Sequence, residues 1–148
     1  TGVPGSGLTQ DLLAGFILSS FYLRMNAAPP VYSQVRFTAV VDEAHRVAGY
    51  KAIKSMVREQ RSKGVAVILA TQTPGDLPPE VETNAQTKVF LKLPAQDAKA
   101  AANRLDPDNR DLPEMIRRLS RGEAFVSIGG SSPQLVRLRQ FWRNDQQT

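Results

Sequence analysis

Asp42 and Glu43 end an apolar, β-branched run, Phe37-Thr38-Ala39-Val40-Val41, and Thr71 and Gln72 end a second one, Val65-Ala66-Val67-Ile68-Leu69-Ala70. Two carboxylates at the end of a buried strand are costly unless a cation lies beside them. A magnesium ion carrying a nucleotide supplies that charge. The first acid then holds the ion, and the second orients or deprotonates the attacking water, which is the Walker B arrangement. The competing reading is a plain turn with both acids in solvent. The wider run from Phe37 to Arg46, a hydrophobic strand followed by Asp-Glu-Ala-His, favours Walker B.

The elements around these residues alternate. Leu8 to Met25 has helical apolar spacing in Leu12, Leu13, Phe16, Ile17, Phe21 and Leu23. Residues 37–41 predict a buried strand, residues 50–62 a helix closed by Lys63-Gly64, and residues 65–70 a second buried strand. A loop with three prolines covers 73–80, and a third strand covers 88–93. Helices are predicted over 95–105 and 112–119, then strands 123–128 and 134–139 around Gly129-Gly130-Ser131-Ser132 as a hairpin. This order predicts an α/β fold: a mostly parallel sheet flanked by helices, with a C-terminal β-hairpin. Ligands of such sheets bind at the carboxyl ends of the strands. If the first two strands are neighbours, ~5 Å apart, Asp42-Glu43 and Thr71-Gln72 share one cleft.

Composition narrows the chemistry. The 148 residues are 41% hydrophobic and 22% charged, which excludes a disordered or collagen-like chain. Cysteine is absent and His45 is the only histidine, so neither a disulfide framework nor a thiolate or histidine metal cluster can form. No apolar run reaches the ~18 residues a membrane span needs. The net charge of +5 points to an anionic partner. It is concentrated in residues 46–63 and 114–143. Lys51, Lys54, Arg58 and Arg61 recur at helical spacing and would line one face, either solvated or bound to a phosphate backbone.

The run from Arg58 to Pro78 (Arg-Glu-Gln-Arg-Ser-Lys-Gly, an apolar strand, Ala-Thr-Gln, Thr-Pro-Gly-Asp-Leu-Pro) resembles the HerA/FtsK group of hexameric DNA-pumping ATPases. Asn84 to Leu93 looks like that group's next strand, and Ser120-Arg121-Gly122-Glu123-Ala124-Phe125-Val126 like its Gly-Glu-Ala strand. The likeness spans about residues 35–140. It implies a RecA-like core in which Asp42 binds Mg²⁺, Glu43 serves the attacking water and Gln72 senses the γ-phosphate, with Thr71 beside it at the nucleotide. It also implies that an arginine completes a nucleotide site within or between subunits. Arg61 is the best-aligned candidate and Arg58 the second.

Gly2-Val3-Pro4-Gly5-Ser6-Gly7-Leu8-Thr9 fits a phosphate-gripping loop except that Leu8 stands where lysine is needed, and no strand precedes it. It reads as a coincidental loop. The chain is therefore expected to be a single domain over 1–148, the distal part of an ATPase core from Walker B onward, lacking the Walker A half. Intact, the protein would use ATP and Mg²⁺, form a ring, a hexamer by the resemblance, and move DNA in the cytoplasm. The DptH-type ATPases of phosphorothioation-dependent restriction are one such setting. Two alternatives are a catalytically inactive α/β module that binds DNA or a protein, and a fragment of a superfamily 2 DEAH-type helicase. The latter lacks its expected arginine-rich element here.

Overall fold

The computed structural model describes residues 6–31 and 34–138. The chain divides into two compact units, Thr1–Ala85 and Gln86–Thr148.

In the first unit, helix α1 (Ser6–Ala27) precedes strand β1 (Phe37–Val41). A 3-10 turn (Ala44–Arg46), helix α2 (Lys51–Glu59) and a second 3-10 turn (Gln60–Lys63) lead to strand β2 (Val65–Leu69). β1 and β2 pair in parallel, with Phe37 opposite Val65 and Val41 opposite Leu69. The pleat sends Val41, Val67 and Leu69 onto α1 and α2, where they meet Ala14, Leu18, Phe21, Ile53 and Met56. The opposite face is bare: Val40 is 68% exposed and Ile68 53%. Helix α1 also carries an outward apolar stripe, with Phe16 71% exposed. The 73–80 loop is shorter than expected, because Pro79 opens helix α3 (Pro79–Asn84). Proline suits a first helical position, and Glu80 and Glu82 favour the positive end of the helix dipole.

In the second unit, β3 (Thr87–Phe90) is followed by α4 (Ala95–Leu105), α5 (Leu112–Arg118), β4 (Glu123–Ile128) and β5 (Gln134–Arg137). The third strand was expected to extend a parallel sheet. Among the described residues it instead pairs antiparallel with β4, and β4 pairs antiparallel with β5. Burial explains the register. Phe90 lies opposite Phe125, and both pack on a core built by Ala98, Ala101, Ala102 and Leu105 of α4 with Leu112 and Ile116 of α5. Just before α5, Asn109 Oδ1 accepts from the backbone N–H groups of Asp111, the N-cap, and Leu112, each at 3.2 Å. In the loop joining β4 to β5, Gly129 and Gly130 both have positive φ and form the centre of a β-turn closed by Ser131 N–H donating to Ile128 O at 3.0 Å. Among the described residues no helix is long and apolar enough to cross a membrane.

Glu123 anchors the turn into β4. Its Oε2 accepts from the backbone N–H of Ser120 at 2.9 Å, and its Oε1 from Arg137 Nε at 3.2 Å. The Ser120 N–H, helped by Arg137 and opposed by burial, holds the carboxyl below the usual carboxylate range. A folded-state pKa lowered in this way stabilises the unit above the ordinary value and loses that effect as the pH falls through the lowered one. Glu123→Gln should therefore melt below the parent at pH 7, with the gap closing as the pH falls below about 4.5, the ordinary value for this carboxyl. A gap that stays constant in thermal melts would show that the carboxylate charge is not the anchor.

Candidate functional site

The parallel register brings the two polar strand ends together. Beyond the last ladder pair, Ala70 N–H donates to Val41 O at 2.9 Å and Ala44 N–H donates to Ala70 O at 2.8 Å. Between those two anchors the chain makes a sharp turn at Glu43, whose φ of 51° and ψ of 42° are left-handed. Glu43 is the only non-glycine with positive φ among the described residues. Such a conformation costs about 1–3 kcal/mol in a residue with a Cβ. It is held by the completely buried Ala44, by the following 3-10 turn, and by Glu43 N–H donating to Asp42 Oδ1 at 2.9 Å.

The turn aims Glu43 at the second strand end. Gln72 Nε2 donates to Glu43 Oε1 at 2.6 Å, although the two are 29 residues apart in sequence. The other oxygen, Oε2, lies 3.5 Å from His45 Nδ1, a contact that becomes an ion pair when the imidazole is protonated. Thr71 Oγ1 donates to Asp76 Oδ2 at 3.1 Å, which draws the Pro-Gly-Asp-Leu-Pro loop onto the end of β2. Asp42, Glu43, Thr71 and Gln72 thus share the carboxyl edge of the β1–β2 pair. His45 and Asp76 join them, and neither stood out by residue type alone. His45 was legible only as the last residue of Asp-Glu-Ala-His, and Asp76 only within the proline loop.

The arginines are placed differently. Arg58, near the end of α2, donates to Glu59 Oε1 at 2.8 Å and lies 3.9 Å from Glu80 of α3. The Glu59 hydrogen bond, with that carboxylate's charge, raises the Arg58 pKa further above its ordinary value. Lys54 also pairs with Glu80, at 3.4 Å, so α3 partly neutralises the basic stripe on α2. Arg61 belongs to the 3-10 turn Gln60–Lys63, and its side chain lies outside the described residues. Of the Gly2–Thr9 segment, residues 2–5 likewise lie outside, and α1 begins at Ser6.

Among the described residues, no three histidine, aspartate or glutamate side chains cluster as a self-sufficient metal cage. Magnesium needs no such cage, because it keeps several waters and takes one or two carboxylates together with substrate phosphates. Asp42 is exposed, its Oδ1 taken only by a neighbouring N–H, and it fits that single-carboxylate role.

A family model described as "Helicase HerA-like C-terminal" matches residues 37–140. The protein "Probable helicase MJECL08" of Methanocaldococcus jannaschii is 31% identical over 113 residues, covering 69% of this chain and 21% of that protein. The chain thus spans about a fifth of that relative's length. Among solved structures, plasmid coupling protein TrwB in complex with ADP and Mg²⁺ aligns with a TM-score of 0.73 at 15% identity, over 90% of this chain and 37% of that one. The genome packaging NTPase B204 from Sulfolobus turreted icosahedral virus 2, in complex with ATP-gammaS, aligns with a TM-score of 0.56 at 19% identity, over 69% of this chain and 52% of that one. At these identities the likeness to the two structures is one of fold, the α/β fold expected from the order of elements and of the RecA-like kind that the resemblance implied. By the extent of the family match, the chain belongs to the helicase HerA-like C-terminal family.

Proposed function

We propose that the chain is the distal part, from Walker B to the C-terminus, of an ATP-driven DNA translocase or helicase motor. The observation that carries this reading is the 2.6 Å hydrogen bond from Gln72 to Glu43, beside an Asp42 left open to a cation. Two polar strand ends joined across neighbouring parallel strands are what a Walker B acid and its phosphate sensor require. In this reading Asp42 holds Mg²⁺, which when bound neutralises phosphate charge. Glu43 accepts the proton of the attacking water. Gln72 has one donor on Glu43 and keeps its other N–H and its carbonyl for water or phosphate. To act as a base, Glu43 exchanges the Gln72 bond for one from water. Thr71 contacts the nucleotide after leaving Asp76. Arg61 or Arg58 reaches a phosphate from within the subunit or across a ring of subunits, where the planar guanidinium fork suits phosphate oxygens.

The bare sheet face of Val40 and Ile68 supports the partial-core reading. Parallel sheets are ordinarily covered on both faces, so further elements of the intact protein, including the phosphate-gripping half, would cover it. The assembled ring, taken as a hexamer, would work on DNA in the cytoplasm.

The test is magnesium-dependent ATP hydrolysis by the full natural protein, with and without duplex DNA. Turnover stimulated by DNA is expected, and no turnover above background from the 148-residue chain alone. A full protein that neither binds nor hydrolyses ATP sinks the proposal. Hydrolysis by the chain alone would return Gly2–Thr9 to consideration as a phosphate loop.

A further inference from the structure

The second unit carries a cationic groove that the nucleotide chemistry does not use. Two adjoining open cavities, about 340 and 490 Å³, share the turn Ser120–Glu123 as a common wall. Lys92 and Arg118 line one, Arg137 lines the other, and Arg121 lines both. Among the described residues Glu123 is the only acid on either wall, and both of its oxygens already accept hydrogen bonds, from Ser120 and Arg137. Its side chain is 17% exposed, whereas Arg137 is 85% exposed and Arg118 is 78% exposed. The cations are therefore far more exposed to solvent than the acid. Arg118 shares Glu114 with Arg117, so one carboxylate offsets two guanidinium groups there. Lys92 and Arg121 have no ion pair among the described residues.

From this arrangement we infer that the groove binds the phosphodiester backbone of a nucleic acid. It gives the DNA partner proposed above a location, and rests on that reading only for which anionic partner is meant. Three of the four lining cations are arginines, whose forked donors match phosphate oxygens. Among the described residues that line the two walls, none is an aromatic on which a base could stack. Binding is thus predicted to be independent of sequence and steeply dependent on salt.

The experiment measures fluorescence anisotropy of a labelled 20-bp duplex of arbitrary sequence with the 148-residue chain, without nucleotide, over a salt series. Lys92→Glu combined with Arg121→Glu should weaken binding at least about tenfold and lower the log–log salt slope by about 2. Lys51→Glu combined with Lys54→Glu makes the same charge change on α2 and should alter affinity less than about threefold. An equal loss in that control places DNA elsewhere and overturns the groove, while leaving DNA as a partner. No affinity in the parent chain overturns it as well. So does displacement of the duplex by ATP or by poly-glutamate at equal charge, which would make the groove a nucleotide or acidic-protein site. If far-ultraviolet circular dichroism shows the double glutamate variant misfolded, Lys92→Gln with Arg121→Gln replaces it, with the same fall in slope expected.

Discussion

Glu43→Gln in the intact protein is expected to lower DNA-stimulated ATP hydrolysis by about 10²–10⁴-fold while leaving ATP affinity within about threefold, the range for removing a general base. The substitution is nearly isosteric, and the local structure tolerates it. A glutamine at 43 keeps an oxygen to accept the Gln72 hydrogen bond, and its left-handed backbone costs no more than glutamate's. Asp42, which would hold the metal, keeps its own bond from the residue 43 N–H. What disappears is the ability to take a proton. Steady-state turnover and equilibrium nucleotide binding, measured on the same preparation, separate the two effects. Turnover within a few-fold of the parent would remove Glu43 from the chemistry. Lost nucleotide affinity would instead mean that Glu43 serves binding.

Gly64→Ala should be the most damaging conservative change in the first unit, at about 2–3 kcal/mol. Gly64 has a φ of +70°, and a Cβ there would lie 2.6 Å from the backbone oxygen of Gln34. The left-handed conformation alone costs a residue with a Cβ about 1–2 kcal/mol, and backbone atoms cannot yield as a flexible side chain can. The position also sets the register. The Gly64 carbonyl accepts from the N–H groups of Arg36 at 2.7 Å and Phe37 at 3.2 Å, immediately before Phe37 pairs with Val65. Displacing it disturbs the ladder that carries Asp42-Glu43 alongside Thr71-Gln72. Amide exchange at the β1–β2 ladder and urea unfolding would report the loss. Gly49→Ala is the control, because a Cβ there meets nothing within 4 Å. A Gly64 variant as stable as the Gly49 one would show that the turn relaxes freely.

Apolar runs were the most legible part of the chain. β1 spans Phe37–Val41 and α4 spans Ala95–Leu105, both as their spacing predicts. The burial expected of β1 is not found: Phe37 is 44% and Val40 68% exposed, whereas α4 buries Ala98, Ala101, Ala102 and Leu105. Less legible were elements set by a single residue's geometry. The left-handed turn at Glu43 and the 3-10 turn after it had no signal in residue type, since glutamate is an unusual choice for that conformation. The pairing of β3 also escaped a local reading. Parallel or antiparallel is decided by which strand can bury Phe90, and the partner, Phe125, lies 35 residues further on.

The candidate site divides along the same line. Residue type alone marked Asp42-Glu43 as an acidic pair ending an apolar strand, and the order of motifs marked the family. Those are properties of neighbours along the chain, and local hydrophobicity and charge are written there directly. Only the folded chain made Glu43 and Gln72 partners at 2.6 Å, brought Arg58 to Glu80, and gathered Lys92, Arg118, Arg121 and Arg137 around one groove. Contacts of this kind depend on strand register and turn geometry, which are settled when distant apolar segments find their burial together, and no window of adjacent residues contains that information.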